Sequence, residues 1–196
     1  MAPVTIKPVR LTGPWADGYV LDRQTVRSIP TGDPYHPFDM ERTELGELLY
    51  QFKYHNKADT LPTIVDTAED FIRNRWQLPR LDCIVPAPPS VKRGERTQPV
   101  LALAAELASR LKIPTCENAV MKVKPTKEMK NIGDWEERRK VLSEAIQRGE
   151  GDVRNKCILL FDDLTQSGST LSRVTEVLLS DGGASAVFVL VLTRTK

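Results

Sequence analysis

The first strong pattern along the chain is a helical one. Between residues 45 and 52, three leucines and a phenylalanine follow the i, i+3, i+4, i+7 spacing, which places them on one face of an amphipathic helix. This helix is predicted to end near residues 54–56. A second apolar stripe with the same period predicts another helix from about residue 62 to residue 76.

From residue 82 onward, short continuous apolar runs alternate with helical segments. Such runs are typical of strands buried on both faces of a parallel sheet. The predicted strands are 82–85, 157–161 and 186–192, and the predicted helices are 100–111, 135–148 and about 169–180. The predicted fold class is therefore α/β, a single-domain, twisted and mainly parallel sheet of about five strands flanked by helices.

Residues 1–42 differ from the rest because turn-forming glycines, prolines and aspartates interrupt them. The segments 6–11 and 19–29 lie between these turns and predict short strands that could pair as a hairpin. We expect residues 1–42 to form a small N-terminal hood or extension and residues 43–196 to form the α/β domain. Three aromatic residues of the hood could either line a ligand pocket or pack in the core, namely Trp15, Tyr19 and Tyr35.

Composition excludes several classes of protein. With 40% hydrophobic and 28% charged residues, the chain has enough apolar side chains for a buried core. Its longest apolar run, residues 186–192, is far shorter than the roughly 20 residues that cross a bilayer, and no signal peptide is expected at the N-terminus. A net charge of +2 does not favour general electrostatic binding to nucleic acid.

The cysteines and histidines do not form a site in the sequence. Cys83, Cys116 and Cys157 include no C-x-x-C pair, so a disulfide framework and a cysteine-rich zinc site are both disfavoured. We expect structural roles for them and a reducing, cytoplasmic location. His36 and His55 lie far apart in the sequence, and neither is expected to bind a metal.

The segment that carries chemistry is residues 158–170. An apolar strand leads to two acids, Asp162 and Asp163, and then to a loop of small and hydroxylated residues that enters a helix. The free N–H groups and positive dipole at a helix start, with glycine and hydroxyls beside them, suit a phosphate dianion. The acids suit sugar hydroxyls or the waters of Mg²⁺, and we expect both carboxylates to face solvent in the empty site. A simpler alternative is that the acids cap a strand and the hydroxyls cap a helix.

This segment resembles the PRPP (5-phosphoribosyl-1-pyrophosphate) binding signature of type I phosphoribosyltransferases. The resemblance implies that Asp162 and Asp163 are catalytic and contact Mg²⁺ through water. Gln166 departs from the pattern, because that family usually has a small residue there. The resemblance assigns the 5′-phosphate of PRPP to the loop residues Thr165, Gln166, Ser167, Gly168, Ser169 and Thr170.

Weaker matches are similar to the ComF-like group of that family. They are the helix at 45–54 with its Lys-Tyr pair, the strand and loop at 84–88, the 124–126 segment, and Glu137 with Arg138. This chain lacks the zinc-ribbon cysteines of many ComF-like proteins. It also has Met129 and Val141 where Gln and Asn are usual, so it would be a divergent member.

Two basic segments are candidates for phosphate contact. The loop after the 82–85 strand is expected to bind pyrophosphate, although it could be an ordinary solvated loop. Its candidate residues are Ala87, Pro88, Ser90, Lys92 and Arg93. The segment 122–133 carries four lysines and is either a flap that closes over PRPP or an exposed loop. Lys124 is the best candidate for a catalytic residue within it.

The resemblance implies a Mg²⁺-dependent enzyme that transfers the phosphoribosyl group of PRPP to a nitrogen nucleophile, with release of pyrophosphate. One alternative is a non-catalytic sensor of a phosphoribosyl ligand or nucleotide, or an accessory protein of DNA uptake or defence. A weaker alternative is direct nucleic-acid binding through the basic loops 92–96 and 122–130, which would be strongly salt-dependent. Many relatives dimerise, so a homodimer is also an alternative. The acceptor base cannot be identified from the sequence.

Overall fold

The computed structural model of the chain describes residues 2–35, 37–89, 98–123, 141 and 143–195. The described strands are β1 (Val9–Arg10), β2 (Asp17–Arg23), β3 (Thr25–Pro30), β4 (Phe38–Arg42), β5 (Cys83–Pro86), β6 (Val120–Lys122), β7 (Ile146–Arg148), β8 (Cys157–Thr165) and β9 (Ala186–Arg194). The described helices are α1 (Glu44–His55), α2 (Leu61–Asn74), α3 (Pro99–Leu111) and α4 (Ser169–Glu176), with a 3₁₀ turn at Ala58–Thr60 and a π-helical extension of α4 at Val177–Asp181.

A five-stranded sheet with the order β1-β2-β9-β8-β5 forms the centre of the molecule. β2, β9, β8 and β5 run parallel to their neighbours, and only β1 is antiparallel. The predicted α/β class with a mainly parallel sheet is therefore confirmed. Among the described residues, no helix combines the length and the apolar character that a membrane span requires.

Helices and short strands cover both faces of this sheet, as the continuous apolar runs predict. Side chains alternate along β8, so that Leu159 and Phe161 pack with α1, α2 and α3, while Ile158 and Leu160 pack with α4, β6 and β7. Below, the first is called the α1 face and the second the α4 face. This alternation decides which elements surround each polar residue farther along β8.

The first 42 residues contribute to two separate sheets. β1 and β2 belong to the central sheet, while β3 and β4 pair only with each other as an antiparallel hairpin. Trp15 is buried and Tyr19 packs edge-on against Phe71 and Trp76, so these two aromatic residues are packing residues. Tyr35 is 89% exposed near the tip of the hairpin.

One predicted helix is partly wrong. Residues 146–148 are the last part of the predicted helix 135–148, yet they form β7, which pairs antiparallel with β6. Ile146 is fully buried on the α4 face. Gly149 passes so close to Asn118 that a Cβ at position 149 would lie 2.0 Å from the Asn118 carbonyl oxygen, and tertiary packing of this kind overrides helical periodicity. Residues 135–140 and 142 lie outside the described residues.

Helix α1 is held unusually close to the end of β2. The Thr43 side chain caps the helix by accepting a hydrogen bond from the Gly46 N–H at 3.0 Å. The Gln24 side-chain amide donates to the Gly46 carbonyl at 3.1 Å. A Cβ on Gly46 would lie 2.2 Å from the Gln24 carbonyl oxygen, so only glycine permits this approach.

We predict that Gly46→Ala destabilises the protein although alanine is the better helix former. The added methyl group must push α1 away from the backbone of Gln24, and forced displacements of this kind cost about 1–3 kcal/mol. Urea unfolding of the purified variant measures the change. Glu44→Ala, an exposed change in the same helix turn, is the control and should cost less than about 1 kcal/mol. An unchanged midpoint for Gly46→Ala would contradict the close packing of α1.

Candidate functional site

The two predicted acids lie within β8 and not beyond its end. The predicted strand stopped at residue 161, but the pairing of β8 with β9 continues through Leu164 and Thr165. The ladder between β5 and β8, in contrast, ends where Pro86 pairs with Phe161. Within the part of the chain that the structure describes, β8 therefore has a neighbouring strand on one side only from Asp162 onward. This position lies at the carboxyl end of β5, where ligands bind in parallel α/β sheets.

The carboxylates of Asp162 and Asp163 lie on opposite faces of the sheet, because adjacent residues of a strand alternate. Asp163 follows Leu159 and Phe161 onto the α1 face, where its side-chain oxygen Oδ2 lies 2.9 Å from Nζ of Lys53. Asp163 is only 9% exposed, and Asp162 is half-buried. The expectation that both carboxylates face solvent is therefore wrong.

Asp162 sits in an environment that disfavours its negative charge. Burial, together with the neighbouring charge of Asp163, raises the pKa of Asp162 to about 7. The N–H of Asp163 donates to Asp162 Oδ1 at 2.8 Å, which opposes that rise. On the same face, burial lowers the pKa of Lys122 at the end of β6, and the charge of Asp162 opposes this shift. The charge of Asp162 therefore acts on Lys122.

A tight turn follows the acids between β8 and α4. It brings together the six residues that are predicted to bind the 5′-phosphate. Gly168 adopts φ +75° immediately before the first residue of the helix. A side chain at this position would be strained, although the space above it is open. The Gly168 N–H donates to the Thr165 hydroxyl at 3.2 Å, and the hydroxyls of Ser167 and Ser169 lie 3.0 Å apart.

The first turn of α4 keeps its N–H groups available. Gly168, the N-cap residue, has no side chain that could accept a hydrogen bond from these groups. The contact from the Ser169 N–H to the Ser167 hydroxyl is long, at 3.5 Å. Unpaired N–H groups at a helix start, together with the positive end of the helix dipole, attract anions. Gln166 is exposed within this turn.

The predicted pyrophosphate residues lie only partly within the described structure. Ala87 and Pro88 are buried directly after β5. The Ala87 N–H donates to the Phe161 carbonyl at 2.8 Å, so it is not available to a ligand, and proline has no N–H to offer. Ser90, Lys92, Arg93 and the predicted catalytic Lys124 lie outside the described residues, as does most of the predicted flap. Lys122, at its start, belongs to β6.

Sequence reasoning did not assign Lys53 to the site. The only signal in the sequence is the Lys-Tyr pair near the end of α1, which by itself gives the lysine no role. Lys53 and Asp163 line a cavity of about 270 Å³ between α1, β8 and the hairpin. The other lining residues include Gln24, Thr25, Met40, Arg42, Tyr50, Tyr54 and Thr195.

The described residues do not form a cage for a metal ion. No group of three or more histidines, cysteines, aspartates or glutamates clusters among them. Asp162 and Asp163 lie on opposite faces, so they cannot both bind one ion directly. A half-buried carboxylate does fit Mg²⁺ that keeps its waters and takes further oxygen ligands from substrate phosphates.

Comparisons with known proteins give matches among solved structures only. No protein-family model matches the chain, and no curated protein matches it. An adenine phosphoribosyltransferase from Thermoanaerobacter pseudethanolicus matches at 16% identity, over 87% of this chain and 84% of that chain, with a TM-score of 0.47. An orotate phosphoribosyltransferase from Aeropyrum pernix matches at 16% identity, over 87% and 76%, with a TM-score of 0.47. An adenine phosphoribosyltransferase from Trypanosoma brucei, solved with AMP, pyrophosphate and ribose-5-phosphate, matches at 15% identity, over 97% and 76%, with a TM-score of 0.47.

We predict that the raised pKa of Asp162 makes the protein less stable as the pH rises toward neutrality. An unfolded aspartate loses its proton near pH ~3.9, whereas folded Asp162 does so at about 7. Between these values the folded state holds the extra proton, so its contribution to stability is present below pH ~4 and disappears as the pH passes about 7.

The measurement is urea unfolding in EDTA at pH 5 and pH 8. Asp162→Asn should show a smaller fall in unfolding free energy between the two pH values than the parent does. Asp59→Asn changes an exposed residue near the end of α1. Its unfolding free energy should fall between the two pH values by as much as that of the parent. An equal fall in unfolding free energy for Asp162→Asn and the parent would show that Asp162 is not desolvated.

Proposed function

We propose that this chain is a Mg²⁺-dependent phosphoribosyltransferase, which binds PRPP and transfers its phosphoribosyl group to a nitrogen nucleophile with release of pyrophosphate. One observation carries the proposal. The fold brings an acid pair and a glycine-capped helix start to the same open edge of β8, within the segment 162–170. A ligand with a diol and a phosphate a few ångströms apart satisfies both, and ribose 5-phosphate is such a ligand.

The turn between β8 and α4 accounts for the 5′-phosphate. Its anionic oxygens would accept hydrogen bonds from the first N–H groups of α4 and from the hydroxyls of Ser167, Ser169 and Thr170. The positive φ of Gly168 directs the backbone around the phosphate without a side chain in the way. Gln166 would contribute its backbone, since its side chain is longer than the small residue usual in this family.

The two acids would bind the hydroxyl groups of the ribose. An ionised carboxylate accepts hydrogen bonds on both oxygens. Asp163 uses one oxygen for Lys53, and the other is left for a ribose hydroxyl, while Asp162 approaches from the other face of the strand. Asp162 would also contact the waters of Mg²⁺, which in this reaction offsets the charge of the pyrophosphate leaving group.

The chain's own contribution to catalysis would be positioning and charge stabilisation. When the nitrogen nucleophile attacks C1′, the bond from C1′ to the pyrophosphate oxygen breaks and its electron pair leaves with pyrophosphate. Holding the ribose at its phosphate and its hydroxyls fixes C1′ against the nucleophile. Lysine and arginine side chains stabilise the charge that develops on the leaving group. That role remains a prediction for Lys92, Arg93 and Lys124, and contact with pyrophosphate remains a prediction for Ser90.

Membership of the ComF-like group is part of the proposal. It rests on the Lys-Tyr pair of α1 and on the strand and loop at 84–88, both of which lie beside the open edge of β8. The proposed acceptor is a nitrogen base.

One observation favours a non-catalytic sensor as a second candidate. Gln166 stands where the family usually has a small residue, so one hydroxyl contact to the phosphate is lost. The Gln166 side chain is exposed and does not block the turn. A protein that holds a phosphoribosyl ligand without turnover can tolerate such a weakened contact. Pyrophosphate release separates this candidate from the enzyme, since only the enzyme produces it.

We predict that PRPP with Mg²⁺ binds the purified protein and that a nitrogen base then releases pyrophosphate. Calorimetry measures the binding, and a coupled assay with a panel of bases measures the release. Asp162→Asn should weaken PRPP binding by about 1–3 kcal/mol through the lost charge-assisted bond. Asp59→Asn should leave PRPP binding unchanged. Binding without release for every base would favour the sensor, and no binding of PRPP or ribose 5-phosphate would reject both candidates.

We also predict that Gly168→Val lowers affinity for ribose 5-phosphate at least tenfold, which is about 1.4 kcal/mol. Valine is strained at positive φ, and its side chain would occupy the space kept open for the phosphate. Gly32→Val is a matched control, because Gly32 also has a positive φ and open space but lies in the hairpin. Both variants should lose stability in urea, whereas only Gly168→Val should lose affinity. Equal affinity of Gly168→Val and the parent would show that the turn does not hold the phosphate.

A further inference from the structure

Lys53 is the cation nearest to the acid pair on the α1 face, among the residues that the structure describes. Its Nζ lies 2.9 Å from Asp163 Oδ2, and the two side chains are only 22% and 12% exposed. A lysine and an aspartate that are this well shielded from water interact more strongly than an exposed pair. The contact also lies at the ligand edge of the sheet, because both residues line the 270 Å³ cavity beside β8.

The helix that carries Lys53 is fixed against the sheet, so the lysine approaches Asp163 from a set position. Leu45 and Leu49 of α1 are almost completely buried in the core. Gly46 lies in contact with the backbone of Gln24 at the end of β2. Since α1 cannot shift without opening these contacts, the reach of the Lys53 side chain alone decides where its ammonium group lies.

A buried polar chain links the same helix to the backbone beside the acids. The Thr193 hydroxyl lies 2.6 Å from Gln24 Oε1 and 3.3 Å from the Asp163 carbonyl oxygen. The amide nitrogen of Gln24 donates to the Gly46 carbonyl at 3.1 Å. Thr193 is fully buried, where such hydrogen bonds are costly to break. Helix α1 thus holds the Asp163 carboxylate through Lys53, while Thr193, which donates to Gln24 in its shorter contact, lies beside the Asp163 carbonyl.

We propose that Lys53 is a positioning residue of the phosphoribosyl site, which fixes the orientation of the Asp163 carboxylate and offsets one of two adjacent negative charges before a phosphate-rich ligand arrives. This inference rests on the proposed function. Without Lys53, the carboxylate of Asp163 would be free to rotate. The negative charge of Asp163 would then lack its partner beside Asp162, and it would repel an anionic ligand.

The test is a double-mutant cycle on PRPP affinity in the presence of Mg²⁺. The variants are Lys53→Met, Asp163→Asn and the two combined, and calorimetry measures each dissociation constant. Lys53→Met should weaken PRPP binding about tenfold in the parent and less than about threefold in the Asp163→Asn background. The reason is that a residue that acts through a partner loses its effect when the partner is removed. Lys53→Arg should recover most of the affinity, since arginine also donates to a carboxylate.

Controls separate this role from general stability and from net charge. Lys57→Met removes a positive charge from an exposed position just past the same helix and should leave PRPP affinity unchanged. Urea unfolding shows whether each variant is folded at the assay temperature, and Lys53→Gln replaces Lys53→Met if the latter is not. With a base that releases pyrophosphate, the KM for PRPP should rise in Lys53→Met while the KM for the base stays the same.

Three outcomes would overturn the inference. Equal losses from Lys53→Met in the parent and in the Asp163→Asn background would show that Lys53 acts independently of the aspartate. Unchanged affinity of Lys53→Met beside a parent that binds PRPP would show that the ion pair is only structural. A parent that binds neither PRPP nor ribose 5-phosphate would reject the proposed function, and the inference with it.

Discussion

The unequal lengths of two neighbouring strands are the constraint on which the candidate site depends. β8 pairs with β9 through Thr165, whereas β5 stops pairing at Pro86. Among the described strands, the backbone of β8 after Phe161 therefore pairs on one side only. An acid pair placed farther back along β8 would be enclosed by β5, and one placed beyond Thr165 would lack the support of β9.

The alternation of a strand then decides the electrostatics of the acid pair. Asp163 points to the α1 face and meets Lys53, while Asp162 points to the α4 face, and its charge acts on Lys122. Lys53 of α1 pairs directly with Asp163, whereas its charge acts on Asp162 more weakly than burial and the neighbouring charge of Asp163 do. Two identical neighbouring residues thereby acquire different properties, with the pKa of Asp162 raised to about 7 and Asp163 held as an ion pair.

Sequence patterns predicted the positions of the helices and strands better than they predicted which face of the sheet each side chain lies on. The stripe at 45–52 lies within α1, and the apolar runs correspond to β5, β8 and β9. The length of β8 could not be predicted, because it depends on which neighbour continues beside it. The contact between Lys53 and Asp163 joins residues far apart in the chain, and no periodic pattern indicates such a pair. Residues 146–148 were predicted wrongly because pairing with β6 and burial of Ile146 on the α4 face outweigh local periodicity.

Helix α1 connects the hairpin of β3 and β4 to the acid pair. Arg42, the last residue of β4, lies 3.6 Å from the ring centre of Tyr50 and 3.3 Å from a carboxylate oxygen of Glu47. Both partners belong to α1, and Lys53 follows them on the same helix. These contacts connect the hairpin to the helix that holds Asp163 through Lys53. The hairpin, α1 and Asp163 also surround one cavity, so residues from distant parts of the chain line the candidate site together.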